Sequence, residues 1–120
     1  MKPAANRTPF DAGRAAYLAL NFLLLFFLLA PIAIVLHPHP QFGGTMHTKV
    51  VYQAAKAFTR IGCAVLRFNF RGIGTSEGSW DEGRGEMEDF RAGIAFMRER
   101  YPSLHVWAAG MSFGSWIATT

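Results

Sequence analysis

The chain has 120 residues, of which 51% are hydrophobic, and it carries a formal net charge of +4 at pH 7. This length allows one modest domain, and the apolar content excludes a disordered chain. The 12 basic residues are scattered along the sequence, so the basic stripe that nucleic-acid binding requires is missing and no nucleic-acid partner is predicted.

The chain begins with an apolar segment. Residues 15–36 include only Asn21 as a strongly polar side chain, which is typical of a signal peptide or membrane anchor. Three basic residues precede or open the segment: Lys2, Arg7 and Arg14. Pro31 interrupts it, and residues 17–30 are fewer than the roughly 20 that a spanning helix needs. Residues 1–30 are therefore treated as an apolar leader, with three interpretations open: a membrane or export segment, a hydrophobic helix lying on the domain, or a misread start.

A strand and an amphipathic helix follow the leader. Residues 31–36, PIAIVL, are almost wholly apolar, which predicts a strand buried on both faces. From Thr48 onward, apolar residues recur at helical spacing, and Gly62 stands where that helix would stop. The apolar stripe of this predicted helix consists of Val50, Val51, Ala54, Ala55, Phe58 and Ile61.

Two further strand and helix pairs complete the chain. Residues 63–70 predict a second strand. Cys63 is the one cysteine of the sequence, so an internal disulfide is excluded and a reducing compartment is permitted. Its place in an apolar run predicts a buried thiol. A helix is predicted over residues 85–100, because acidic residues near its start and basic residues near its end suit the helix dipole. Its apolar stripe consists of Met87, Phe90, Ile94 and Met97. Residues 104–109 predict a third strand, and a third helix begins at 115.

This alternation of strands and helices predicts an α/β fold with a parallel sheet. Ligand sites in such sheets lie at the carboxyl ends of the strands. The loops at 37–46, 71–79 and 110–114 all leave such an end. We therefore expect them to converge on one crevice.

The pentapeptide GMSFG, residues 110–114, lies between a predicted strand and a predicted helix. Glycine at both ends allows the sharp turn between the two elements, which holds Ser112 exposed at the tip. The backbone N–H of Phe113, at the start of the new helix, is placed to stabilise an oxyanion. In this context the motif favours a serine nucleophile over a purely structural turn.

The loop HPHPQFGG, residues 37–44, follows the first strand, where an acyl-transfer enzyme of this architecture needs its second oxyanion donor. Its candidate site residues are His37, His39, Phe42, Gly43 and Gly44. The glycines allow close approach of the backbone to a substrate, and the histidines are expected to shape the loop through hydrogen bonds. Two alternatives are a rigid proline-rich turn with solvated histidines and a metal site; no second ligand cluster supports the latter, so no metal is predicted.

The loop RGIGTSEG, residues 71–78, has glycines after a strand but does not match a dinucleotide fingerprint, because Glu77 stands where the third glycine is required. No phosphate loop occurs in the sequence, and no cofactor is predicted. Arg71 is expected to pair with a nearby carboxylate or carbonyl. His47 and His105 are expected at the surface.

Three strings in order, VLHPHPQFGGTM, RFNFRGIGTSEG and GMSFG, resemble the α/β-hydrolase superfamily, and more narrowly a group of small bacterial hydrolases with an HPHP loop. The resemblance covers residues 31–120 and does not cover residues 1–29. It implies that the three strands are the third, fourth and fifth of that fold and that Ser112 is the nucleophile. It also implies that Phe113 and the loop 37–44 supply the oxyanion donors.

In this superfamily the acid and the histidine of the triad follow the nucleophile, whereas the sequence ends at Thr120. The expectation is an α/β-hydrolase domain over residues 31–120 that is truncated after the nucleophile elbow and inactive as a fragment. Its complete form is expected to cleave an ester or related acyl bond of a small molecule. The alternative is a non-catalytic scaffold of the same fold, tethered to a membrane or binding another protein. A cytoplasmic location is favoured; export, membrane contact through residues 15–36 and the oligomeric state are left open.

Overall fold

The computed structural model describes residues 12–120, without the side chains of residues 22–29. Its helices and strands follow in the order α1 (Ala12–Leu29), β1 (Ile32–Leu36), α2 (Lys49–Arg60), β2 (Ala64–Arg67), α3 (Arg84–Arg100), β3 (Val106–Gly110) and α4 (Phe113–Ala118). A single 3₁₀ turn, Pro40–Phe42, lies in the loop after β1. The predicted alternation of strands and helices is confirmed.

The three strands form one parallel sheet in the order β2-β1-β3. Ile32 of β1 lies opposite Ala64 of β2 on one side and Val106 of β3 on the other. Every residue of the central strand is buried, as predicted from its continuous apolar run. The carboxyl ends of all three strands therefore meet at one edge of the sheet.

Side chains of β1 alternate between two hydrophobic clusters. On one face its residues pack with β2, α3 and α4 around Ile32, Ile34, Leu36, Phe70, Phe90, Met97, Phe113 and Ile117. On the other face Val35 packs with Val51 and Ala55 of α2. The predicted stripe of α3 faces the core, but two members of the predicted α2 stripe are wrong: Val50 and Ile61 are 42% and 48% exposed.

The ends of the elements differ from the predictions where the chain turns toward the carboxyl edge. Pairing of β2 ends at Arg67 rather than at residue 70. Phe70 donates its backbone N–H to a side chain of the neighbouring loop instead of to a ladder partner. Helix α4 begins at Phe113, two residues before the predicted start at 115, because the turn after β3 occupies only Met111 and Ser112.

The apolar segment 15–36 is divided between helix α1 and strand β1. Tyr17, Leu18 and Leu20 of α1 are each more than half exposed. Among the residues that the structure describes, no helix has the length and apolar character needed to cross a bilayer. Residues 1–11 of the predicted leader, with Lys2 and Arg7, lie outside the described residues.

Candidate active site

Ser112 stands at the tip of the turn between β3 and α4. Its backbone has φ 55° and ψ −116°, a region that residues with a β-carbon rarely occupy. Such a conformation costs about 1–3 kcal/mol and persists only where the surroundings enforce it. The side chain is exposed and forms no hydrogen bond with any described residue. The turn thus presents a serine hydroxyl that the fold does not use for its own stability.

Two glycines enforce this turn through close packing. A β-carbon at Gly110 would lie 2.3 Å from the carbonyl carbon of Gly114, and one at Gly114 would lie 2.4 Å from the carbonyl oxygen of Leu36. Both distances are far below van der Waals contact. The turn therefore requires glycine at both positions, as the sequence predicts, and Gly114 brings the start of α4 directly against the end of β1.

Phe113 follows the exposed serine as the first residue of α4. Its backbone N–H forms no hydrogen bond with the part of the chain that the structure describes. Its ring is buried and lies 5.5 Å from the Phe70 ring and 5.2 Å from the Trp80 ring, between ring centroids. The ring anchors the residue, and the unused amide is left next to Ser112.

His37 joins the loop after β1 to the segment that follows β2, from a fully buried position. Its Nε2 accepts the N–H of Phe70 at 3.1 Å, and its Nδ1 lies 2.7 Å from the Pro38 carbonyl oxygen. Burial lowers the pKa of His37 below its ordinary value, and the bond to Pro38 opposes this only in part. The imidazole is accordingly neutral at pH 7, and the predicted hydrogen-bonding role describes it better than a solvated histidine.

His39 is held through its carbonyl group and its ring. The carbonyl oxygen accepts the N–H groups of Phe42 and Gly44 at 3.1 and 3.0 Å, and Nδ1 accepts the N–H of Gln41. Three aromatic rings surround its imidazole within 5.3 Å between centroids: Phe42, Trp80 and Phe113. The His39 N–H has no acceptor among the described residues, although the carbonyl group and the ring of the same residue are held by these contacts.

The remaining loop residues have different roles. Gly44 is buried, and a β-carbon there would lie 2.0 Å from the Pro38 oxygen, so only glycine fits. Gly43 has φ 84° and ends the 3₁₀ turn in the left-handed region. Phe42 is 83% exposed and stands at the surface beside the site. The loop thus has a tightly packed inner part and an apolar outer part.

The loop 71–79 packs beside the site rather than forming part of it. The guanidinium of Arg71 pairs with the Asp89 carboxylate at 2.9 Å, which also accepts the Arg71 backbone N–H. The hydrogen bond to Asp89 raises the pKa of Arg71. Asn69, next to this loop, accepts the N–H of Met46 and so ties β2 to the loop after β1. The predicted pairing of Arg71 with a carboxylate is confirmed.

Trp80 and Glu86 border the site but were not among the predicted residues. Trp80 contacts the rings of both His39 and Phe113. The fully buried Glu86 carboxylate accepts the N–H groups of Asp81 and Gly83 at 2.8 Å each and so holds the segment that carries Trp80. An acidic residue at the third position of α3 is a capping signal, but no sequence pattern places Trp80 at the site.

The structure therefore brings the loop 37–44 and the turn 110–114 together. His47 and His105 are exposed, as predicted. No group of metal-ligating side chains occurs in the described portion of the chain. Cys63 lies at the opposite edge of the sheet beside a cavity of about 600 Å³, and burial raises the pKa of its thiol.

Comparison with known proteins identifies the fold and family. A family model described as serine aminopeptidase, S33, matches residues 30–120. An uncharacterized protein of Rickettsia prowazekii (strain Madrid E) is 48% identical over 90 residues, which are 74% of this chain and 38% of that protein. The chain thus spans well under half the length of this curated relative.

Two solved structures are similar to the same region. The structure of an α/β serine hydrolase homologue from Coxiella burnetii is 44% identical with a TM-score of 0.72, over 74% of this chain and 43% of that one. A Xanthomonas campestris protein, described as an α/β serine hydrolase without a lid, is 44% identical with a TM-score of 0.69, over 74% and 41%. Both of these neighbours are described as α/β serine hydrolases or their homologues. The chain belongs to the serine aminopeptidase S33 family and has the α/β-hydrolase fold.

Proposed function

We propose that the complete protein is a serine hydrolase in which Ser112 attacks the carbonyl carbon of an ester or a related acyl bond. The observation that carries the proposal is the exposed Ser112 hydroxyl on a strained backbone at the carboxyl edge of a parallel sheet. Backbone strain of this kind persists only where surrounding contacts enforce it, and it is concentrated at functional sites.

In the proposed reaction the Ser112 Oγ forms a bond to the carbonyl carbon, and the electron pair of the C=O bond moves onto the oxygen. A general base takes the hydroxyl proton and then returns it to the leaving alcohol or amine. The leaving group departs as the C=O bond re-forms, which leaves an acyl-serine that water hydrolyses. In this proposal the histidine base and its acid partner come from outside the described residues, in the order that the fold uses.

The oxyanion is stabilised by two backbone amides, those of Phe113 and His39. Both N–H groups have no partner among the described residues, while the groups around them are hydrogen-bonded or packed. Within Pro38-His39-Pro40 only His39 has an N–H to donate. Each such donor contributes about 3 kcal/mol to the transition state.

Residues 1–120 alone are proposed to lack turnover. No histidine of the described residues forms a hydrogen bond with Ser112, and a serine without a base is a weak nucleophile at neutral pH. The proposal therefore assigns catalysis to the complete protein and the nucleophile and oxyanion site to this part of it.

The test is covalent labelling of the complete protein with a serine-directed phosphonate, followed by peptide mass spectrometry and assay of p-nitrophenyl esters. We expect label on Ser112 and a fall in kcat of about 10⁴ or more for Ser112→Ala. The matched control is Ser115→Ala, an exposed serine of helix α4, which should retain label and activity. Absence of label from Ser112, or unchanged hydrolysis in Ser112→Ala, overturns the proposal and favours a non-catalytic scaffold.

A further inference from the structure

We propose that His37 is a positioning residue that aims the His39 N–H into the oxyanion site by holding the carbonyl of the peptide group to which that N–H belongs. The inference rests on the function proposed above. It adds a role for a buried side chain that has no contact with the reacting atoms.

The hydrogen bonds of His37 determine its tautomer. The Phe70 backbone N–H can only donate, so Nε2 of His37, 3.1 Å away, must be the acceptor. A neutral imidazole that accepts at one nitrogen carries its hydrogen on the other. Nδ1 therefore carries the hydrogen and donates it to the Pro38 carbonyl oxygen at 2.7 Å.

This carbonyl and the His39 N–H belong to one planar peptide group. The bond is trans, so its C=O and N–H point in opposite directions. When His37 holds the oxygen on the buried side of the loop, the N–H is turned away from that side. Donation to the carbonyl also polarises the peptide and strengthens its N–H as a donor.

Gly44 supports the same peptide group from another direction. The position that its β-carbon would occupy is 2.0 Å from the Pro38 oxygen and 2.4 Å from the Pro38 carbonyl carbon. The following carbonyl, that of His39, accepts two backbone N–H groups. A rotation of the Pro38–His39 peptide would place its N–H against the Nδ1–H of His37, so that two donors would face each other. The contacts with His37 and Gly44 therefore allow only one orientation of the Pro38–His39 peptide group.

The inference is tested with two variants that each keep one of the two hydrogen bonds. In His37→Asn the side-chain nitrogen replaces Nδ1 and can donate to Pro38, but nothing replaces Nε2. In His37→Gln the side-chain oxygen replaces Nε2 and can accept from Phe70, but nothing donates to Pro38. The comparison separates aiming of the oxyanion donor from satisfaction of the buried Phe70 N–H.

We expect kcat for a p-nitrophenyl ester to fall about 10²-fold in His37→Gln and no more than about 10-fold in His37→Asn, with KM little changed in both, in the complete protein. A merely structural role predicts the reverse order, because His37→Asn leaves the buried Phe70 amide without its acceptor. The reverse order, or equal loss of kcat, overturns the inference.

A measurement on the unmodified protein keeps the test decisive if a variant does not fold. The ¹⁵N shifts of the His37 ring should show a protonated Nδ1 and a bare Nε2 at pH 7.5; a protonated Nε2 overturns the inference. Labelling of Ser112 in the unmodified protein is checked first. If Ser112 is not labelled, the proposed function fails; if it is labelled and the variants show the wrong order, only the role of His37 fails.

Discussion

The two loops that meet at the candidate site are held in different ways. The loop after β1 is held by hydrogen bonds: the His37 ring bonds to the Pro38 carbonyl oxygen and accepts the Phe70 N–H, and the Asn69 side chain accepts the Met46 N–H. The turn after β3 contains no side-chain hydrogen bond among the described residues and is held by the packing of glycine against backbone atoms. Hydrogen bonds fix the direction of an amide, whereas close packing forces a serine into a conformation that it would not otherwise adopt. The two loops should therefore respond to different substitutions.

The largest effect on stability is expected where the turn after β3 packs against the end of β1. In Gly114→Ala the new methyl group would lie 2.4 Å from the Leu36 oxygen in the central strand, which cannot move without disturbing the sheet. We expect the free energy of unfolding to fall by about 3 kcal/mol or more, measured by urea denaturation of the complete protein. The control Ser115→Ala, one residue away and exposed, should change it by less than about 0.5 kcal/mol. A well-folded Gly114→Ala protein would contradict this view of the turn.

The second prediction concerns the hydrogen-bonded loop. The backbone of His39 has φ −51°, which proline also adopts, so His39→Pro removes the N–H while keeping the backbone path. His39→Ala removes the same ring contacts but keeps the N–H. We expect kcat of the proline variant to lie about 10²- to 10³-fold below that of the alanine variant in ester hydrolysis. Equal values of kcat would show that the His39 N–H does not stabilise the oxyanion.

The strain at Ser112 predicts that glycine is more stabilising than alanine there, the opposite of the order expected inside a helix. Ser112→Gly should be more stable than Ser112→Ala by about 1 kcal/mol. Glycine relieves the backbone strain of the folded state, and this gain exceeds the loss of stability that comes from the larger conformational entropy of glycine in the unfolded chain. At Ser115, inside α4, the same comparison should favour alanine by about 0.5–1 kcal/mol. Thermal unfolding of the four variants measures both differences. If alanine is the more stable residue at both positions, Ser112 is not strained.

The smallest effect is the pH dependence from His37. Its folded-state pKa lies below the ordinary value of 6.5, so below about pH 6.5 the unfolded chain binds more protons than the folded one. The free energy of unfolding should therefore fall as the pH decreases, until His37 titrates in the folded state as well. His37→Gln lacks this contribution and should lose less stability between pH 7.5 and 5.5. Parallel curves for the two proteins would contradict the prediction.

Much of the fold follows from the sequence because its signals are local. The apolar run of β1 and the stripe of α3 report burial directly, and both are confirmed. The errors arise where tertiary contacts replace local patterns. Val50 is apolar and correctly spaced but is 42% exposed, and the Phe70 N–H donates to the His37 ring instead of to a strand partner.

The site is less predictable than the fold. The glycine requirement in GMSFG follows from the turn that it must make, and the packing around Gly110 and Gly114 agrees with it. The burial of His37 could not be inferred, because it depends on the approach of the Phe70 N–H, which lies 33 residues away along the chain. Trp80 reaches the site through a segment held by Glu86, and a contact between residues so distant along the chain leaves no periodic signal in the sequence.

The register of the sheet has a consequence for the order of folding. Pairing of β1 with β2 joins Ile32 to Ala64, whereas pairing with β3 joins Ile32 to Val106, so the second step closes a loop more than twice as long. Longer loops cost more entropy to close and slow the contacts that depend on them. The turn that carries Ser112 forms only when β3 docks, so it should appear after the β1–β2 pair. Reactivity of Ser112 toward a phosphonate should therefore be absent until β3 has joined the sheet.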